Sequence, residues 1–244
     1  MSTSSSSHEK NPPRDRVWLM FDRIAHRYDL LNRLLSLGQD IVWRQRVAQY
    51  LPEKSPLHLL DMATGTADQL LMMYGKTDRI TSAVGMDMSE QMLAVGRNKI
   101  RERHLEHIMT LQTGDATQIP APDQTFDVVT ISFGIRNVSD VDQALREMYR
   151  VLKPAGRALI LEFSLPQNRF LRGVYLFYFR YVLPVIGGMI SGDRYAYNYL
   201  NKTVETFPYG EAFCQRMRSA GFIAVQANPL TFGIATIYQG DKAS

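Results

Sequence analysis

The sequence predicts an α/β protein whose core is a doubly wound, mostly parallel β-sheet. Short apolar segments alternate with amphipathic helical patterns between residues 57 and 163, and this alternation is typical of βαβ units. A loop of small residues follows the first apolar segment, and acidic residues end the first three. Because such sheets bind ligands at the carboxyl ends of their strands, these features also predict a nucleotide-type site.

Each predicted strand is an apolar run rich in β-branched or aliphatic residues and bounded by turn residues. Ser89 and Ser139 are predicted to cap the helices between them, and K-P-A-G at 153–156 is predicted to stop the second helix. The chain has 244 residues, 45% of them hydrophobic, which suits a single domain with a full core. The strands are predicted at 57–61, 80–87, 107–113, 126–132 and 157–163.

The loop A-T-G-T-A at 63–67 gives the first indication of function. Its small residues, Gly65 among them, let a ligand approach the backbone where the next helix begins. A tight turn would explain the loop alone, but not the acidic residues around it. Asp61 ends the first strand, and Asp87 ends the second roughly 20 residues after the loop, where an acidic residue accepts hydrogen bonds from a ribose. Asp115 ends the third strand, and an adenine amino group is a natural partner for it.

Two kinds of cofactor suit a loop of this type. A dinucleotide enzyme needs G-x-G-x-x-G to hold a pyrophosphate, whereas here Asp61 and Asp68 flank the loop and would repel one. S-adenosylmethionine carries a sulfonium, an ammonium and a ribose, so Asp61 near its amino acid end and Asp87 at its ribose favour it. A nicotinamide-dependent oxidoreductase stays open as an alternative, which comparative binding of the two cofactors would decide.

Two helices are predicted ahead of the first strand, and together they form an N-terminal helical cap over residues 14–52. Apolar residues recur at helical spacing within 16–24 and again within 43–51. Polar residues between these two stretches are either turn and capping residues or the lining of a substrate pocket. They are Tyr28, Asp29 and Asn32.

Composition excludes several classes of function. Cys214 is the single cysteine, so no disulfide or cysteine zinc site forms within the chain, as expected in a reducing cytoplasm. The five histidines lack metal-ligand spacing, and we expect no metal. The formal net charge of +4 comes without a basic run interleaved with aromatic residues, so no nucleic-acid partner is expected. Residues 1–13, rich in serine, are expected to form a disordered leader without the apolar segment of a secretory signal.

Several motifs along the chain carry a family resemblance. They are D-M-A-T-G-T-A-D, G-D-A, I-S-F-G-I-R-N-V, Y-R-V-L-K-P-A-G-R and L-E-F-S, with R-Y-D-L-L-N near the start and Y-N-Y-L at 197–200. Together they resemble the class I S-adenosylmethionine-dependent methyltransferases, and more narrowly the C-methyltransferases of ubiquinone and menaquinone biosynthesis. The resemblance covers nearly the whole chain after the leader, and I-S-F-G-I-R-N is its most specific part. One departure is Ala67, which stands where the family pattern G-T-G-D has a glycine.

The resemblance implies a seven-stranded sheet whose last strand, expected at 232–238, runs antiparallel. It also implies that S-adenosylmethionine is the cofactor and S-adenosylhomocysteine the product. The implied reaction is C-methylation of a prenylated hydroquinone ring, either demethylmenaquinol to menaquinol or the equivalent step on a benzoquinol precursor of ubiquinone. Cofactor contacts are implied at Thr66, Asp87, Asp115, Ala116 and Ser132.

Such a transfer needs a group beside the acceptor hydroxyl, so that the neighbouring ring carbon becomes nucleophilic. Arg136 and Asn137 follow Ser132 in the family-specific motif. An arginine is not a base, since its pKa exceeds about 12, so Arg136 is expected to polarise the hydroxyl or stabilise a phenolate. A structural salt bridge is the alternative for Arg136. Tyr28 is the second catalytic candidate and His26 the third.

A substrate-covering insertion is predicted at 165–205, and its segment 169–183 is a helix too apolar to face water freely. Arg169, Arg172 and Arg180 share one arc of this helix, which argues against a membrane span. Either the helix packs into the core, or it forms an apolar wall for a prenyl tail at an anionic membrane surface. We therefore expect a cytoplasmic protein, peripheral on the inner face of the cytoplasmic membrane. The sequence leaves open whether the protein forms a homodimer. A non-catalytic quinone carrier is an alternative function, but it would have no use for three strand-end carboxylates.

Overall fold

The computed structural model describes residues 17–185 and 201–244. Its strands are β1 (Leu57–Met62), β2 (Ile80–Asp87), β3 (Met109–Thr113), β4 (Phe126–Ser132), β5 (Leu152–Phe163), β6 (Ile223–Leu230) and β7 (Ala235–Asp241). They form one seven-stranded sheet in the order β3-β2-β1-β4-β5-β7-β6. Strands β1 to β5 pair in parallel, and β7 runs antiparallel to β5 and β6. The predicted doubly wound sheet with an antiparallel last strand is confirmed.

Helices cover both faces of this sheet. They are α1 (Trp18–Leu35), α2 (Gln39–Val47), α3 (Asp68–Tyr74), α4 (Glu90–Glu102), α5 (Val141–Val151), α6 (Arg169–Phe177) and α7 (Glu211–Ser219). Helices α5 and α7 pack their apolar sides into the core on one face. Helices α2, α3 and α4 do the same on the other. Each face therefore has its own apolar layer, as a sheet buried on both sides requires.

Two local predictions were wrong, and one open alternative is decided. Tyr28, Asp29 and Asn32 are not turn or capping residues, because α1 continues through them as a single helix of 18 residues, and Tyr28 and Asn32 line a cavity instead. The leucine-rich stretch contains no glycine or proline before Gly38, so nothing interrupts it. Ser139 does not cap α5; the neighbouring Asp140 accepts the backbone N–H of Gln143 at 3.0 Å. The last strand begins at Ala235 rather than 232, because 231–233 form a 3₁₀ turn.

The boundaries of two further strands also moved. Strand β3 begins at Met109 instead of 107. Strand β5 begins at Leu152 instead of 157, directly after α5 ends at Val151, so K-P-A-G lies inside the strand. Ser89 does cap α4, accepting the N–H of Met92 at 3.2 Å. Residues 1–13 and the motif at 197–200 lie outside the described residues.

Charged side chains fasten α1 across the carboxyl edge of the sheet. Lys99 on α4 lies 2.5 Å from a carboxylate oxygen of Asp29 and 2.6 Å from one of Asp68. Arg33, also on α1, pairs with both Asp40 and Asp68. These contacts hold the N-terminal helices over the strand ends, where the predicted site residues lie.

Candidate active site

Two adjoining cavities lie between the carboxyl edge of the sheet and the helices above it. The smaller has a volume of about 150 Å³ and the larger about 490 Å³. The side chains that line both are Phe21, Tyr28, Phe133 and Asn137. Ligands in the two cavities would therefore meet at these four residues.

Most of the predicted cofactor-binding residues line the smaller cavity. The lining includes Gly65, Asp87, Asp115, Ala116 and Ser132. They come together because β1, β2, β3 and β4 are parallel neighbours whose carboxyl ends meet at one edge. Met88, Met92 and Val138 add apolar wall beside the carboxylates. The cavity thus combines carboxylates that accept hydrogen bonds with apolar walls that suit a flat ring.

Asp87 holds the loop as well as facing the cavity. Its two oxygens accept the backbone N–H groups of Gly65 at 2.8 Å and Ser89 at 2.9 Å. Burial raises the pKa of this carboxyl, and these N–H groups oppose the shift. A carboxylate has about four lone-pair sites, so it can also accept a ligand hydroxyl.

Asp61 and Thr66 are not part of the cavity lining. Asp61 is buried under the loop, where it accepts hydrogen bonds from the hydroxyls of Thr64 at 2.7 Å and Thr130 at 2.6 Å. Burial raises its pKa to about 6. Thr66 faces the helices instead, donating to Asp29 at 2.7 Å and accepting from Lys99 at 3.0 Å. The structure thus gives both residues contacts that shape the loop, and a direct cofactor contact for either stays a prediction.

The loop backbone is left-handed at three positions, one of which is Ala67. Ala63, Gly65 and Ala67 all have left-handed φ angles, of 47°, 57° and 63°. Glycine adopts this conformation without strain, whereas a residue with a Cβ there costs roughly 1–2 kcal/mol. The methyl group of Ala67 is fully buried. A glycine, which the resemblance implies at this position, would adopt the same φ angle without that cost.

The larger cavity is walled mostly by apolar and aromatic side chains from α1, α2 and α6. Phe133 and Phe163 pack against each other on the sheet side, with ring centroids 4.6 Å apart. At the mouth, Leu37 is 82% and Phe232 79% exposed. Such a cavity suits an apolar ligand that enters over an apolar rim.

Arg136 lies in the larger cavity and carries its own counter-ion. Its Nη1 donates to Glu162 Oε1 and to the carbonyl of Phe133, both at 2.6 Å. Its guanidinium also lies over the Phe163 ring, 5.2 Å from the centroid. Both Arg136 and Glu162 are buried. The structure therefore confirms a buried salt bridge of Arg136. A catalytic role for Arg136 stays a prediction.

Further polar atoms in this cavity have no hydrogen-bond partner among the described residues. They include Arg136 Nε, Arg44 Nε, Asn137 Oδ1 and the Tyr175 hydroxyl. Since buried polar groups are nearly always paired, these atoms suit a ligand with oxygen substituents. Tyr28 lies at the junction of the cavities, and burial raises its pKa. The side chain of His26 lies outside what the structure describes.

Sequence reasoning missed Glu162, Tyr175 and Arg44. Glu162 had a signal, because it is the one acidic residue in the otherwise apolar segment R-A-L-I-L-E-F. Arg44 had none, since an arginine four residues after Asp40 on a helix looks like half of a surface ion pair. Only the packing of α2 against the sheet reveals that both are buried.

Helix α6 buries one side and exposes part of the other. Its inner side contributes Tyr175 to the larger cavity, and Phe179 follows in a π-helical turn. An exposed apolar stripe runs along α6 and this turn, made of Phe170, Val174, Phe177 and Tyr181, and Val174 also borders the larger cavity. The arginines are less available than expected, because Arg172 donates to Tyr209 and Arg180 pairs with Glu205. Within the described ranges, no helix is both long and apolar enough to span a bilayer.

This strand order, with acidic strand ends facing a small cavity, defines a class I methyltransferase fold. Solved structures agree, for example SAM-dependent methyltransferases of Thermotoga maritima and Aquifex aeolicus. The first is 19% identical with a TM-score of 0.65 over 92% of this chain and 99% of that one. The second is 16% identical with a TM-score of 0.55 over 81% and 88%. The chain belongs to the ubiE/COQ5 methyltransferase family, whose model matches residues 8–242.

Curated relatives of this family are similar over almost the full length. The demethylmenaquinone methyltransferase of Thermus thermophilus is 48% identical over 91% of this chain and 100% of its own. The ubiquinone/menaquinone biosynthesis C-methyltransferase UbiE of Geobacter sulfurreducens is 48% identical over 93% and 89%. The predicted family is thus confirmed, and with it a methyltransferase that uses S-adenosylmethionine. The smaller cavity fits this cofactor, because Asp87 and Asp115 offer acceptors for ribose and adenine donors.

Proposed function

We propose that the protein transfers the methyl group of S-adenosylmethionine to a ring carbon of a prenylated hydroquinone, converting demethylmenaquinol into menaquinol. The observation that carries this proposal is the apolar cavity of about 490 Å³, which adjoins the cofactor cavity at Tyr28 and Asn137. The name of the Thermus relative supports a naphthoquinol acceptor. The name of the Geobacter relative also supports a benzoquinol acceptor, which is the alternative.

The bound cofactor supplies an already activated methyl group, so the protein's task is orientation and charge control. Asp87 and Asp115 would hold the ribose and the adenine, with Gly65, Ala116 and Ser132 closing the walls around them. Phe133 and Phe21 would set the plane of the acceptor ring, because both line the junction. Excluding water from this apolar junction strengthens every electrostatic contact within it.

Arg136 is proposed to polarise the acceptor hydroxyl, with Asn137 and Tyr28 orienting the ring beside it. Its ion pair with Glu162 fixes the guanidinium in one position, and its Nε is left without a partner among the described atoms. A donor held in place in an apolar cavity stabilises developing negative charge more than a mobile one does. Asn137 contributes an unpaired amide oxygen that can accept the acceptor's hydroxyl proton in a hydrogen bond.

Acceptor choice tests the proposal. Purified protein would be incubated with S-adenosylmethionine and equal amounts of reduced demethylmenaquinone, a prenylated benzoquinol precursor and a tail-less naphthoquinol. Mass spectrometry of the extracted quinones then gives each rate. We expect the prenylated naphthoquinol to be methylated fastest. Preference for the benzoquinol would select the alternative, and equal rates with the tail-less ring would contradict a role for the larger cavity in holding the tail.

The protein is further proposed to be a cytoplasmic enzyme that binds reversibly to the inner face of the cytoplasmic membrane. Leu37 and Phe232 at the mouth, together with the apolar stripe of α6, expose large side chains next to the cavity that would receive a lipid. Burying such side chains at an interface contributes roughly 1.5–3 kcal/mol each at most. The net charge of +4 favours anionic lipids.

Flotation with anionic vesicles measures this association. Phe177→Asp on the apolar stripe should reduce it. Ile223→Asp should not reduce it. Ile223 is also exposed, but it lies beside Asp241 toward the amino end of β5, away from the carboxyl edge that holds the cavities. Absence of wild-type flotation, or equal loss in both variants, would contradict the proposal.

A further inference from the structure

A second arginine of the larger cavity, Arg44 on α2, has no counter-ion. It is 5% exposed, and among the described residues no carboxylate lies within ion-pair distance of it. Asp40, one helical turn earlier, also lines the cavity but pairs with Arg33 and accepts from the Ser36 hydroxyl at 2.8 Å. Its guanidinium lies over the Phe133 ring, 5.2 Å from the centroid. Arg136, by contrast, is neutralised by Glu162.

The charge of Arg44 acts on three further groups, Tyr28, Asp61 and Asp68, none of which forms an ion pair with it. Asp61 accepts hydrogen bonds from threonine hydroxyls, and Asp68 pairs with Arg33 and Lys99. Burial raises the pKa of Tyr28, so this phenol stays uncharged at neutral pH and is no counter-ion. A buried charge without a partner is costly to the fold. An unpaired guanidinium that faces a ligand cavity is therefore better explained by an anionic ligand than by the stability of the protein.

Hydrogen bonds tie Arg44 to the cofactor cavity. Gln69 Nε2 donates to the carbonyl oxygen of Arg44 at 3.1 Å, and Ser132 Oγ donates to Gln69 Oε1 at 2.9 Å. Ser132 lines the smaller cavity, and Phe133, under the guanidinium, lines both. The position of Arg44 relative to the junction is thus fixed by the same residues that shape the cofactor site.

We propose that Arg44 binds the acceptor as its monoanion, with the phenolate oxygen paired to the Arg44 guanidinium and the hydroxyl proton released to bulk solvent on binding. This inference rests on the proposed function and deepens it. Arg44 supplies the net positive charge of the cavity, whereas the Arg136–Glu162 pair supplies an oriented donor without net charge. No protein base is then needed to ionise the hydroxyl, because the cavity selects the ionised form from solution.

The test uses 4-methoxy-1-naphthol, a probe with one ionisable hydroxyl, bound to the full chain in the presence of S-adenosylhomocysteine so that no methyl transfer occurs. The absorbance of the naphtholate, followed against pH, gives the ionisation midpoint of the bound probe. We expect the ionisation constant of the probe to rise roughly tenfold or more on binding to the wild type. In Arg44→Met it should fall to that of the free probe or below, because an apolar cavity disfavours the anion.

Two variants serve as controls. Arg44→Lys should keep most of the shift, and Arg46→Met, an exposed arginine on the same helix, should leave it unchanged. Arg44→Gln replaces Arg44→Met if the latter does not fold.

The Tm of the free Arg44→Met protein should equal or exceed that of the wild type, because an unpaired buried charge is removed. A fall of Tm in both neutral variants would assign Arg44 to the fold and overturn the inference.

The same experiment separates this inference from the proposed function. If the wild type methylates prenylated quinols but Arg44→Met binds the probe with the wild-type midpoint, the inference is overturned and the function stands. If the wild type binds S-adenosylhomocysteine but neither binds the naphthol nor methylates any quinol, both are overturned.

Discussion

Replacing Arg136 by methionine should have two separable effects, a loss of stability and slower methyl transfer. The loss of stability is electrostatic. Glu162 is 1% exposed, and its carboxylate would lose its only counter-ion among the described residues. Removing one partner of a buried pair costs about 3–5 kcal/mol. The Glu162 carboxylate would then accept only two backbone N–H groups, that of Phe163 at 2.8 Å and that of residue 136 at 3.4 Å.

A second substitution separates the two effects. Adding Glu162→Gln to Arg136→Met removes the stranded charge while keeping an oxygen that accepts the Phe163 N–H. The double variant should therefore recover most of the lost stability, to within about 1–2 kcal/mol of wild type. Turnover should stay low in both variants, by about 10²- to 10³-fold, because the donor at the acceptor hydroxyl is missing. Affinity for S-adenosylhomocysteine should change little, since Arg136 lines only the larger cavity.

Urea denaturation followed by circular dichroism gives the free energies of unfolding, titration calorimetry gives the affinity, and initial rates of quinol methylation give the turnover. Wild-type turnover in the double variant would remove Arg136 from the catalytic role. Unchanged stability in the single variant would show that the charge of Glu162 does not depend on Arg136.

Three further substitutions test the cofactor loop. Asp87→Ala should weaken cofactor binding by roughly 1.5–3 kcal/mol for each ribose hydrogen bond lost, and unchanged affinity by calorimetry in a folded variant would remove Asp87 from the site. Ala67→Gly should keep cofactor affinity and change the free energy of unfolding by less than about 1 kcal/mol. The strain of a φ of 63° at Ala67 would be relieved, and this gain offsets the greater conformational freedom of glycine in the unfolded chain. Loss of cofactor binding would mean that the loop is misplaced. Burial raises the pKa of Asp61 from 3.8 to about 6, so the folded state binds a proton before the unfolded state does. The protein should therefore gain stability from Asp61 as the pH falls from about 6 to about 4, by up to about 3 kcal/mol. Asp61→Asn should lack this gain, and identical pH profiles of wild type and variant in denaturant titrations would refute the assignment.

The parts of the site that the sequence predicted are those fixed by strand register. Asp87 ends β2 and Asp115 follows the end of the neighbouring parallel strand β3, so they had to meet at one edge once the strands were recognised. Gly65 follows from the same argument, since a loop that leaves β1 beside β2 lies next to both carboxylates. The pattern of apolar runs was sufficient because the sheet is buried on both faces.

Other parts depend on backbone angles that the sequence does not reveal. The sequence did not reveal that the hydroxyl of Thr66, which lies between two left-handed residues, contacts Asp29 and Lys99. Nor did it reveal that the carboxylate of Asp61 accepts hydrogen bonds from two threonine hydroxyls. A cofactor contact for either residue stays a prediction. Ser139 and Asp140 are both capping residue types, and the sequence did not reveal that Asp140 caps α5.

Charged residues of the larger cavity were the hardest to predict. Arg44 and Arg136 both lie on short helical segments with polar neighbours, and nothing in their spacing tells a buried arginine from an exposed one. Their difference arises from a single contact, the ion pair with Glu162 that only Arg136 makes. That contact joins residues 26 positions apart and depends on the pairing of β4 with β5.

The most direct test of the account is the position of the transferred methyl group. Purified protein would be incubated with S-adenosylmethionine carrying a ¹³C-labelled methyl group and with chemically reduced demethylmenaquinone, and the quinone product would be analysed by mass spectrometry and carbon NMR. The account predicts one labelled methyl group bound to a ring carbon, formed in equal amount with S-adenosylhomocysteine. A label on oxygen, or cofactor turnover without a labelled quinone, would contradict it.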